Sequence, residues 1–123
     1  MKFYEEEKGF RDFQRLYYTD DKKVYRFEDL HNPKVEAVIL EAGRLWTEAS
    51  SEYIKLHGDT GSCVLGNGIF VALKPPRRRN IYKLKLASPQ GQGEGPGEGT
   101  KDPVLKYLKD NGIDCWYECG RMD

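Results

Sequence analysis

Between Asn32 and Gly58, apolar side chains return every three or four residues: Val35, Val38, Ile39, Ala42, Leu45, Trp46, Ala49, Tyr53 and Leu56. That spacing is the signature of one buried helical face. Glu36, Glu41, Arg44, Glu48, Glu52 and Lys55 fall largely on the other side. Asn32 suits the N-cap, Pro33 the first helical position and Gly58 the residue that stops the helix. Gly43 costs about 1 kcal/mol relative to Ala inside a helix, and Ser50-Ser51 is a place where the helix could bend. A competing reading makes two strands of residues 35–40 and 45–49, turning at Ala42-Gly43. It matches the spacing less well.

After Gly58-Asp59-Thr60-Gly61, which reads as a turn, extended structure takes over. Cys63-Val64-Leu65 and the run 69–73 read as strands joined by Gly66-Asn67-Gly68, a connection that offers the positive φ angles of a tight hairpin. Lys74-Pro75-Pro76 ends the second strand, because proline cannot donate to a ladder. Residues 80–87 then alternate, with Tyr82, Leu84 and Leu86 facing a core and Lys83 and Lys85 facing solvent. Residues 88–101 are dense in glycine and proline, and we expect a flexible loop there. Asp102-Pro103 opens a short helix through Val104, Leu105 and Leu108 that stops at Gly112, and residues 113–118 read as a last strand ended by Gly120. Ahead of all this, Phe10, Phe13, Leu16 and Tyr17 have helical spacing. Residues 9–18 are therefore expected as a short helix leading into a hairpin at 17–27 that turns at Asp20-Asp21.

These elements predict a single α+β domain over residues 1–123. An antiparallel sheet of about four to five strands packs against one long and one short helix. The length of 123 residues fits one domain. Hydrophobic residues are 38% and charged residues 33%. Fifteen aromatic residues exclude a wholly disordered chain. No apolar run reaches the roughly 20 residues that cross a bilayer, so no membrane partner is expected. Met1-Lys2-Phe3-Tyr4-Glu5-Glu6-Glu7 lacks the apolar core of a secretory signal. With an odd number of cysteines, Cys63, Cys115 and Cys119, this predicts a reducing compartment: the cytoplasm, or the nucleus.

Charge changes the picture most. The net charge is zero, yet residues 60–93 hold all of Lys74, Arg77, Arg78, Arg79, Lys83 and Lys85 and no Asp or Glu, while acidic residues outnumber basic ones on both sides. A hairpin thus carries a concentrated positive face. Its cations suit phosphates, and Phe70 or Tyr82 could stack on bases if exposed. Lys74, Arg77, Arg78, Arg79, Tyr82, Lys83 and Lys85 are therefore the candidate binding residues. The competing reading is a solvated turn whose charges offset the acidic helix.

Other constellations are poorer. Gly58-Asp59-Thr60-Gly61 superficially resembles the Gly-Asp-Ser-Gly around the nucleophile of chymotrypsin-like proteases. Thr60 stands at the nucleophile position, however, His57 is too near in sequence, and the chain is too short for two barrels, so no triad assembles. The same glycines with Gly66 and Gly68 lack the lysine of a phosphate-binding loop. Cys115 and Cys119 on one strand would lie about 13 Å apart, too far to share a zinc with Cys63, His31 or His57. No motif is long enough to assign a family. We expect no cofactor and no catalytic residues. The expected function is a non-enzymatic nucleic-acid-associated protein, binding RNA ahead of DNA through the basic hairpin. The alternative is an inhibitor or adaptor that offers the same face to an acidic protein. An enzyme built from dispersed residues would need a pocket joining His57 to Asp59 or Glu52.

Overall fold

The structure is a computed structural model that describes residues 14–17, 20–62 and 64–121. In chain order the described elements are β1 (Gln14–Leu16), β2 (Val24–Tyr25), α1 (Phe27–Leu30), α2 (Pro33–His57), β3 (Val64–Leu73), β4 (Ile81–Ala87), α3 (Glu94–Glu98), α4 (Lys101–Asp110) and β5 (Trp116–Arg121). A curled, mainly antiparallel sheet carries one long helix and three short ones, an α+β fold.

The long helix forms where its period predicts. The Asn32 side chain accepts a hydrogen bond from the Lys34 backbone N–H at 2.9 Å, Pro33 opens the first turn, and Gly58 leaves it at φ 85°. Ile39, Ala42, Trp46 and Ser50 form the buried stripe of α2. Ser50 does not break the helix. Its hydroxyl donates to the Trp46 carbonyl at 2.6 Å and accepts from the Gln90 N–H at 2.9 Å, so a polar residue lies inside with both functions used. At the far end Leu56 is 69% exposed, because the stripe has run past the core. The two-strand reading of 35–49 is thereby set aside.

β3 is the central strand. β4 runs antiparallel along one edge, with β1 antiparallel beyond it. The other edge is shared: β5 pairs antiparallel with the first part of β3, and β2 pairs parallel with Ala72 and Leu73. Ile69, Val71, Leu73 and Leu84 face the helices and pack with Leu30, Ile39, Trp46, Val104, Leu108 and Ile113.

Several expectations need correction. Gly66-Asn67-Gly68 is not a hairpin. β3 runs through it as one strand, with an irregularity opposite β5 between Leu65 and Gly68, because both halves find the same partner strand. Of the hairpin expected at 17–27, Asp20-Asp21 form a turn and β2 pairs parallel with β3, while residues 18 and 19 of its first strand lie outside the described residues. Residues 14–16 are extended, so the helix expected over 9–18 does not include them, and the rest of it lies outside the described residues except Tyr17. The last strand starts at Trp116 and continues to Arg121, past Gly120.

The largest correction concerns residues 88–101, expected as a flexible loop. They contain α3, with Pro96 and Gly97 buried, and lead into α4 at Lys101. Composition misleads here because the contact is made by backbone. Asp59 accepts from the N–H groups of Gln92 at 2.8 Å and Gly93 at 2.7 Å, and the carbonyls of Thr60 and Ser62 accept from the N–H groups of Gly95 and Glu94. A Cβ on Gly93 would fall 2.1 Å from the Thr60 carbonyl oxygen. Only a chain without side chains comes that close.

Candidate nucleic-acid interface

The basic hairpin exists as β3–turn–β4, and its positive residues divide between two places. Lys74, Arg77, Arg78 and Arg79 lie at the turn after Leu73, where Arg77 adopts φ 63°. The two prolines hold that turn, with Pro75 fully buried beneath it, while Arg77, Arg78 and Arg79 are exposed. No ion pair holds Lys74, Arg77 or Arg79 among the described residues. β1 ends beside this turn: Leu16 pairs with Ile81, and the next residue, Tyr17, is 73% exposed with the Arg15 guanidinium 5.0 Å from its ring centre.

Lys83 and Lys85 lie further along β4, on the sheet face away from the helices, opposite Ala72 and Phe70 of β3. The pleat puts Lys83, Lys85, Phe70, Trp116 and Glu118 on this one face. Phe70 is nearly buried, at 6% exposure, with Trp116 stacked on it at 6.5 Å between ring centres and 27° between planes. Lys83 Nζ and Lys85 Nζ lie 5.0 and 5.8 Å from the Phe70 ring centre. Lys22, in the turn before β2, places its Nζ 5.0 Å from the Trp116 ring centre. Three ammonium groups thus surround a two-ring stack, an arrangement favoured by the negative faces of aromatic rings.

Glu118 locks the arrangement. Its carboxylate accepts from Lys83 Nζ and, through the other oxygen, from the Trp116 indole N–H. Burial alone would raise its pKa, but the hydrogen bonds from Lys83 and Trp116 outweigh burial and hold the carboxyl below its ordinary range. Lys85 has no carboxylate partner among the described residues. Partial burial of its ammonium first, and the neighbouring Lys83 second, lower its pKa. Its stem crosses Gly68, where an added Cβ would meet Lys85 Cδ at 2.9 Å. The residue as a whole remains exposed, with the aliphatic stem laid on the sheet.

Of the two aromatics expected to stack on bases, Phe70 is covered, and Tyr82 is half-buried on the helix-facing side of β4, opposite Leu73. Trp116 is the half-buried aromatic beside the lysines. Sequence reading missed Trp116 and Glu118 because they reach the hairpin only through strand pairing across the chain, Phe70 with Trp116 and Gly68 with Glu118, and Lys22 because it arrives from the turn before β2.

The remaining candidates resolve differently. His57 packs on Tyr53 at 4.9 Å between ring centres, and both Asp59 oxygens are occupied by backbone N–H groups, so Asp59 braces the glycine-rich segment. Beside them an open cleft of about 600 Å³ is lined by Tyr53, Glu94, Glu98, Cys119 and three glycines. Cys115 is buried, which pushes its thiol up to about 11 and keeps it protonated. Among the described residues no group of three or more His, Cys, Asp or Glu could hold a metal ion, and no helix is long and apolar enough to cross a membrane. No known protein family, curated protein or solved structure matches this chain.

Proposed function

We propose that the protein binds nucleic acid, RNA ahead of DNA, through the β3–β4 hairpin and the sheet face beside it. The observation that carries this reading is the segregation of charge. Several carboxylates of the helices pair locally: Glu41 and Glu48 with Arg44, Glu98 and Asp102 with Lys101, Asp110 with Lys106. They leave Lys74, Arg77, Arg79 and Lys85 without a carboxylate partner among the described residues. Exposed cations at the end of the hairpin suit phosphates, and association with phosphates gains from counterion release. RNA is favoured because cellular RNA offers unpaired segments whose phosphates and bases are both accessible.

The test is fluorescence anisotropy with a labelled RNA oligonucleotide across a salt series. Binding should weaken linearly in log–log form as salt rises. Arg77→Ala/Arg78→Ala/Arg79→Ala should weaken it by at least about ten-fold and flatten the slope by roughly two, since each phosphate neutralised on a single strand contributes about −0.7. Absence of binding at low salt would overturn the reading. The competing reading, an acidic protein partner on the same surface, predicts instead that nuclease treatment leaves a single captured protein in place.

A further inference from the structure

We infer that Trp116 is a stacking platform for one unpaired nucleobase, and that Lys22 is the lid this base displaces. The inference rests on the nucleic-acid reading above and extends it from charge to a defined ligand: a single strand with a base free to leave its own stack. Trp116 is prepared on three sides. Phe70 backs one face of the indole, Glu118 fixes the indole N–H, and Lys83 and Lys85 stand on β4 across the sheet face. Among the described residues Lys22 also lies over the indole, with its ammonium 5.0 Å from the ring centre. Its one ion-pair partner among the described residues, Asp21, is its sequence neighbour, 3.5 Å away and 84% exposed at its side chain. That contact contributes little, while the ammonium, on a side chain 25% exposed, also helps to lower the pKa of Glu118. A base stacked over the indole covers more of the ring than one ammonium does, and the released ammonium stays within reach of the phosphate that follows the base. Lys85, on the same face of β4 and without a carboxylate partner among the described residues, is placed for a neighbouring phosphate, while Lys83 is held by Glu118.

The experiment uses intrinsic fluorescence of the whole protein titrated with oligo(U) of about twelve nucleotides at low salt, with anisotropy followed in parallel. The chain has two tryptophans, and Trp46 is fully buried against Thr100, so a change in emission on binding reports Trp116. The expected result is quenching that saturates with the anisotropy signal. Trp116→Leu should bind about ten-fold more weakly. Trp116→Phe, which keeps a ring over Phe70, should lose less. Lys22→Ala should retain the quench while its salt slope becomes shallower by about 0.7. Salt-dependent binding with unchanged emission overturns the platform and leaves the broader reading intact. Equal quenching by a fully paired duplex overturns the requirement for an unpaired base. Equal quenching by poly-glutamate transfers the surface to an acidic protein. No binding of any oligonucleotide overturns both proposals together.

Discussion

Gly93 shows how much of this protein depends on the absence of a side chain. Its backbone N–H meets Asp59 at 2.7 Å, and an added Cβ would lie 2.1 Å from the Thr60 carbonyl oxygen and 3.0 Å from Asp59 Oδ1. The nearest obstacle is backbone and cannot swing away. Gly93→Ala should therefore destabilise the protein by about 2–3 kcal/mol, as expected for forced overpacking, seen as a lower urea midpoint with an unchanged slope. An effect within about 0.5 kcal/mol, the range of ordinary surface changes, would mean that residues 59–62 and 92–95 are not held together by this close approach. This is also where sequence reading was weakest. Glycine-rich composition signals a shortage of burial only when side chains do the burying. Here Asp59, Thr60 and Ser62 satisfy the backbone of residues 92–95 directly. Asp59 and Gln92 stand 33 positions apart, a partnership that local composition does not reveal.

Among the elements, α2 was the most legible because its information is local: cap, stripe and stop all lie within one segment. Gly43 is its one unfavourable residue, and nothing lies within 4 Å of where its Cβ would be. Gly43→Ala should then stabilise the protein by about 0.5–1 kcal/mol, seen as a raised midpoint of thermal unfolding. A loss of stability would reveal a contact on that face. The same substitution is thus expected to have opposite signs at Gly43 and Gly93, which separates helix propensity from close approach. The strands were legible in kind and less so in partnership. Gly66-Asn67-Gly68 carries hairpin chemistry, yet Gly68 has no positive φ. Its missing side chain serves instead to admit Lys85 and the Ala87 carbonyl. Period-two alternation on β4 correctly separated Leu84 from Lys83 and Lys85. It could not show that Phe70 and Trp116 would lie beneath and beside those lysines, because that depends on which strands flank β3.

For the whole molecule the question is whether zero net charge means mutual neutralisation. Most described ion pairs of the helices join residues within about one turn of each other, and on the hairpin Lys83 pairs with Glu118. That one pair restrains the surface. Glu118 engages Lys83, and it places a negative charge where a phosphate would approach the Phe70–Trp116 stack. Glu118→Gln removes the charge while leaving an amide oxygen that can still accept from the Trp116 indole. If the hairpin face binds nucleic acid, this variant should bind several-fold more tightly than the parent. Its log–log salt dependence should steepen by about 0.7 as Lys83 becomes a phosphate contact. Glu118→Ala, which also frees the indole, should gain less, because the stacking ring loses its anchor. Unchanged affinity and slope in the glutamine variant would place Lys83 outside the interface and confine binding to the arginine turn. Weaker binding would identify the Lys83–Glu118 pair as part of the bound structure. The three outcomes differ in slope as well as affinity, so a salt series on this one substitution measures how far along β4 the interface extends.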